Sequence, residues 1–260
     1  MPYTTLKLNW EDAIALITFN RPEKRNAVST LMIQEILSAL DEIEQSEARV
    51  AILTGAGSAF CAGMDLEGLQ DLADQSLEDN LEDSRRMAAF FHRLYSFPKP
   101  LIAAVNGHAI AGGCGLATLC DFTLSVPTAK FGYTEARIGF LPALVSVFLV
   151  RQIGEKSARD LLLTARLVDA EEAYRLGLVT QVVPREELLP RARQLAQTLI
   201  ANGPSSLSAT KQLLVACSGP ELNRQLELAI ESNARIRLTP DFREGISSFL
   251  EKRPPQWKAK

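Results

Sequence analysis

Five short β-branched or apolar runs, at residues 14–19, 50–54, 101–105, 122–126 and 179–183, are each bounded by Gly, Pro, Asn or Asp and predict strands. Between the first two, Met32, Ile33, Ile36, Leu37, Leu40 and Ile43 recur at helical spacing behind Ser29, which is placed as the N-cap. Further helical patterns cover 80–95, 145–153, 157–164, 170–176, 188–202 and 205–216. Strands alternating with helices over short connections predict an α/β fold with crossover helices. After Pro204 no strand pattern returns. The chain reads as helical to about Leu250 and stops at Pro254-Pro255. Residues 1–200 therefore form the expected α/β core and 201–260 a helical C-terminal segment. Its apolar positions Leu222, Leu226, Ile230 and Ile236 suit either this core or a neighbouring subunit.

A hydrophobic fraction of 47% over 260 residues is ample for a sizeable core. The net charge of −3 gives no general attraction to nucleic acid or anionic membranes, so a phosphate-bearing ligand must meet locally placed cations. No apolar run reaches the roughly 18 residues of a membrane span, and residues 1–7 lack a signal-peptide pattern, so a cytoplasmic protein is expected. Cys61, Cys114, Cys120 and Cys217 show no C-x-x-C pairing and only His92 and His108 could assist them, so the cysteines are read as small buried apolar residues and no metal is expected.

Two segments rich in small residues follow the second and third strands: Thr54-Gly55-Ala56-Gly57-Ser58-Ala59-Phe60-Cys61-Ala62-Gly63-Met64-Asp65-Leu66 and Val105-Asn106-Gly107-His108-Ala109-Ile110-Ala111-Gly112-Gly113-Cys114-Gly115-Leu116. Each reads as strand, loop, helix start. Glycine admits positive φ and close backbone approach, and a first helical turn offers unpaired N–H groups. Two such loops can aim two amides at one oxygen, forming an oxyanion hole; the plainer alternative is two tight turns. The dinucleotide pattern fails at Phe60, and Gly112-Gly113-Cys114 lacks the Lys-Ser/Thr of a phosphate loop. No G-x-S-x-G elbow occurs.

Together these segments resemble the crotonase (enoyl-CoA hydratase/isomerase) family. Asn20-Arg21-Pro22-Glu23-Lys24-Arg25-Asn26-Ala27 resembles its first coenzyme A loop, Phe60 to Leu66 its first oxyanion loop and Asn106 to Gly115 its second. The similarity continues through Glu135-Ala136-Arg137-Ile138-Gly139-Phe140-Leu141-Pro142 to Glu251-Lys252-Arg253-Pro254-Pro255. The resemblance implies a ClpP/crotonase spiral of β-β-α units, assembled as a homotrimer or a dimer of trimers, with an acyl-CoA thioester as substrate. No cofactor is implied beyond the substrate's own coenzyme A, and neither nucleic acid nor membrane is an expected partner. It makes the amides of Met64 and Gly112 the hole donors. Ala27, Ala62, Asp65, Leu66, Glu67 and Gly113 are expected to border the acyl-CoA, and Lys24, Arg25 and a neighbour's Lys252 to meet its phosphates and adenine. For Lys24 and Arg25, plain surface charge is an equal reading.

Hydratases of the family usually carry two glutamates twenty residues apart. Here the first position is Gly115 and the second is Glu135. Glu135 is thus the expected catalytic acid and base, adding water to a 2-enoyl-CoA, branched or carboxylated substrates included. One glutamate also suits Δ3,Δ2-enoyl-CoA isomerisation, and a non-catalytic acyl-CoA- or RNA-binding relative is a third reading. Arg137 is expected either beside a substrate carboxylate or in a structural salt bridge. The acidic stretch 69–84 is expected near the acyl pocket.

Overall fold

A computed structural model of the chain describes residues 3–65, 71, 72 and 74–257. The five expected strands are present as β2 (Ile14–Phe19), β3 (Val50–Gly55), β5 (Leu101–Val105), β7 (Phe122–Ser125) and β10 (Gln181–Val182). With β1 (Leu6–Glu11) they make a sheet of order β1-β2-β3-β5-β7-β10, parallel throughout except that β1 runs antiparallel to β2. Buried on both faces, β3 and β5 are apolar without alternation, and Val50, Leu53, Ile102 and Ala103 are fully enclosed. The edge strand β1 escaped the sequence reading because one-sided pairing lets Lys7, Asn9 and Trp10 face solvent.

Four further strands were missed: β4 (Ala59–Cys61), β6 (His108–Ile110), β8 (Lys130–Gly132) and β9 (Val168–Asp169), which form a second sheet of order β4-β6-β8-β9. At two or three residues each they are too short to display a period. Their presence corrects the strand-loop-helix reading, because each glycine segment contains a short strand of its own. The long strands β3, β5 and β7 are each followed by a short one, then by a helix: α2 (Leu77–Tyr95), α3 (Gly112–Thr118) and α4 (Ala143–Thr164). The chain thus winds as a spiral of β-β-α turns.

Helix α1 (Thr30–Gln45) begins as expected, with the Ser29 hydroxyl accepting from the Met32 N–H at 3.2 Å. The two helices expected at 145–153 and 157–164 are one element, α4, kinked at Gly154 (φ 75°, ψ 160°). After α5 (Ala170–Leu176) and α6 (Leu188–Ile200), α7 (Pro204–Ile236) runs through Pro220 and is followed by α8 (Pro240–Leu250). Leu222, Leu226 and Ile230 pack into the chain's own core, where α7 meets α2 and α4. Cys61, Cys114 and Cys120 are buried, and burial pushes the first two thiols up to about 12; Cys217 is exposed, against expectation. Among the described residues, no helix is long and apolar enough to cross a membrane.

Candidate active site

The two glycine segments meet at Gly63 and Gly112. Gly63 adopts φ +97°, a backbone that L side chains rarely take, and a Cβ there would lie 3.6 Å from the Gly112 nitrogen. Ala111, just before Gly112, is itself held at φ 51° with ψ −125°. Strain of this kind persists where the surroundings dictate it, here through the Ala111 N–H bound to the Gly132 carbonyl at 2.7 Å. Neither the Met64 nor the Gly112 N–H has an acceptor among the described residues, and both residues line one cavity of about 700 Å³. Two unspent amides facing a shared space are what an oxyanion hole requires.

Cross-loop bonds fix the first of these amides. Asn26, fully buried at φ 56°, donates through Nδ2 to the Ala56 and Ala59 carbonyls, both at 2.9 Å. The Val28 N–H donates to the Gly63 carbonyl and the Asp65 N–H to the Val28 carbonyl, bracketing Met64. Arg21 donates to the Ala27 carbonyl and to Asp65 Oδ2, each at 2.6 Å. The Asn106 side chain accepts from the Gly55 N–H and donates to the Gly57 carbonyl, tying the segments after β3 and β5 together. Arg21, Asn26 and Asn106 were not singled out from the sequence, since their roles exist only across loops.

Glu135 opens a 3₁₀ turn, Glu135–Ile138, just beyond β8. As a residue it is half-buried and lines the same cavity, yet its Oε2 is enclosed without a partner. Burial lifts its carboxyl from an ordinary 4.5 to about 7, against a smaller lowering by its own backbone N–H. The turn is anchored by the Phe140 N–H, which donates to the Glu135 carbonyl at 3.0 Å. Helix α8 holds it from outside: a Cβ at Gly245 would come within 2.2 Å of the Ile138 carbonyl group. Gly245→Ala is therefore expected to destabilise the protein by about 1–3 kcal/mol, as overpacking does. Displacement of the Glu135 turn should lower kcat as well; denaturant unfolding and a turnover assay on the same preparation check both.

Of the other expected site residues, Lys24, Arg25, Ala27, Ala62 and Asp65 line the cavity. Leu66 and Glu67 lie outside the described residues, as do residues 69, 70 and 73 of the acidic stretch. Within that stretch, Leu72 and Asp83 line the cavity, and from Leu77 onward it is helix. Gly113 is not among the lining residues; a Cβ there would lie 2.2 Å from the Cys61 carbonyl, so this glycine lets α3 close onto β4. Lys252 is exposed beyond α8 and outside the cavity of its own chain. Arg137 is exposed and absent from the lining, and the structural salt bridge expected of it is not found among the described residues. At Gly115, a Cβ would sit 3.1 Å from Val145 Cγ2 and 3.6 Å from Phe91 Cζ. Apolar side chains thus border the position at which a second carboxylate was expected.

A β-β-α spiral with two glycine loops facing one cavity is a crotonase fold. A solved enoyl-CoA hydratase/isomerase from Xanthobacter autotrophicus matches it with a TM-score of 0.89 at 30% identity, covering 99% of this chain and 100% of that one. The profile of the family described as Enoyl-CoA hydratase/isomerase matches residues 9–260. A Thermus thermophilus protein provisionally named as an enoyl-CoA hydratase is 47% identical over 245 residues, covering 94% of this chain and 97% of its own. The 2,3-dehydroadipyl-CoA hydratase of Escherichia coli is 34% identical over 252 residues, covering 96% and 97%. This chain belongs to the enoyl-CoA hydratase/isomerase family.

Proposed function

We propose that the chain is an enoyl-CoA hydratase, adding water reversibly across the double bond of a 2-enoyl-CoA. The carrying observation is Glu135: an enclosed carboxyl lifted to about 7, on the wall of the cavity that the Met64 and Gly112 amides also face. A base poised near neutral pH is efficient both at taking a proton and at returning it. With the thioester oxygen on the two amides, Glu135 takes a proton from water as the water oxygen bonds to C3. The C2–C3 π electrons move toward the thioester, whose oxygen gains charge that the amides offset, each donor contributing about 3–4 kcal/mol. Glu135 then delivers its proton to C2, and dehydration is the reverse. With Gly115 in place of a second glutamate, one carboxyl serves both steps. Lys24 and Arg25 at the cavity's edge suit the coenzyme's phosphates.

The same carboxyl could carry a proton between C2 and C4, but the hydratase names of the relatives favour hydration. The reaction needs no cofactor beyond the thioester. A trimer or a pair of trimers is proposed for the assembly, which would cover Leu213 and Leu214, both more than half exposed on α7. Four free cysteines suit a reducing, cytoplasmic setting. The test is a paired assay: crotonyl-CoA is expected to lose its enoyl absorbance, and a 3-enoyl-CoA to give no gain. Gain on the second substrate alone makes the protein an isomerase; binding of both without turnover makes it a non-catalytic relative.

A further inference from the structure

We propose that Arg237 makes part of the acyl cavity a carboxylate site, so that the preferred substrates are 2-enoyl-CoA thioesters carrying a second, distal carboxylate. This rests on the hydratase reading and adds the substrate class to it. Arg237 follows α7 and lines the cavity, with a side chain only 4% exposed. A cation so enclosed must keep a counter-ion, because an unpaired buried charge is strongly destabilising.

The partner supplied by the chain is Asp83 on α2, 2.8 Å from Arg237 Nη1. Unlike the guanidinium, the Asp83 side chain is 27% exposed, and its other oxygen lies 3.8 Å from the exposed Arg86. Asp83 can therefore let go of Arg237 and remain solvated beside Arg86. Arg237 has no such freedom. An arriving carboxylate can take the place that Asp83 holds, exchanging one buried ion pair for another.

The surrounding hydrogen bonds show why this group, and not its neighbours, has capacity left. Asn80 Oδ1 accepts from Arg237 Nη1 at 3.1 Å, and its Nδ2 reaches the Gln75 carbonyl. Asn233 Oδ1 accepts from Arg237 Nη2 at 2.6 Å and from Ser84, while its Nδ2 reaches the Leu141 carbonyl. Among the described residues, Arg237 Nε is the buried donor of this cluster left without an acceptor. A guanidinium has five N–H donors, and Nε lies beside Nη2 on the edge that grips carboxylates in a fork. Arg237 thus lines the cavity while one donor of its guanidinium is left without an acceptor. The Phe140 ring, its centroid 5.5 Å from the guanidinium carbon, connects this site to the Glu135 turn.

Two saturated thioesters of equal length, glutaryl-CoA and valeryl-CoA, read the preference without turnover, while crotonyl-CoA turnover reports separately on the hydratase reading. Calorimetry on the full chain is expected to show glutaryl-CoA bound at least about tenfold more tightly, as befits a site built for a polar terminus. Arg237→Met should abolish that preference, and Asp83→Asn should tighten glutaryl-CoA binding severalfold while leaving valeryl-CoA unchanged. Equal binding of the two thioesters by the unaltered protein, or tighter binding of valeryl-CoA, overturns the proposal whether or not crotonyl-CoA is hydrated. The comparison needs no variant, so misfolding of Arg237→Met would not obscure it.

Discussion

Glu135→Gln leaves a folded protein whose kcat for enoyl-CoA hydration is lower by about 10²- to 10⁴-fold, the usual contribution of a positioned acid-base group. The amide fills the same space but can neither take the proton of water nor return one to C2. In the unaltered protein the base form is required, so kcat/KM for hydration should rise with pH through about 7, the value to which burial lifts the carboxyl. That rise should vanish in the variant. Stability moves the other way. A carboxyl at about 7 in the fold and 4.5 when unfolded contributes stability that is complete below pH 4.5 and is lost as pH rises through 7. The difference corresponds to about 3 kcal/mol at pH 8. The introduced amide does not ionise, so the variant should unfold at higher denaturant than the parent at pH 8, and at nearly the same denaturant at pH 4. Loss of activity with no gain in stability at pH 8 would mean that the carboxyl is more hydrated than its enclosed Oε2 indicates.

The burial that sets these opposed effects on rate and stability was itself not legible in the sequence, although much of the frame around it was. Strands at 14–19 and 101–105 could be read to the residue because near-continuous apolar runs, broken only by Thr18, are forced inside the sheet. The three-residue strands that shape the glycine loops carry no period, so the loops looked simpler than they are. Glu135 was legible from its spacing to Gly115, but its buried carboxyl was not, since that comes from walls distant in sequence. Distance in the chain hid Arg237 most completely: its partner Asp83 is 154 positions away. The sequence instead suggested Arg137, two residues from Glu135, where a 3₁₀ turn points the side chain outward. Short-range motifs locate the reacting groups, whereas selection of the acyl chain falls to residues that meet only on folding.

Gly112→Ala should fold normally and yet lose about 10²- to 10³-fold in kcat/KM, the effect of removing a hole donor. Gly112 has no positive φ that would exclude alanine, and its Cβ would meet nothing nearer than Gly63 Cα at 3.9 Å and the Met64 nitrogen at 4.0 Å. The methyl therefore fits, but it fits beside the second donor. A thioester oxygen held by both amides must sit about 3 Å from each nitrogen, and the methyl crowds that position. The oxygen is pushed off one donor while every bond that positions Glu135 stays intact. Gly113→Ala is the internal control: its Cβ would lie 2.2 Å from the Cys61 carbonyl, so this neighbour should fail by instability. Thermal unfolding beside steady-state hydration separates the two, with the first variant stable and slow and the second unstable. Near-normal turnover by a stable Gly112→Ala protein would place the thioester oxygen elsewhere and leave Glu135 to act without the Met64 and Gly112 amides.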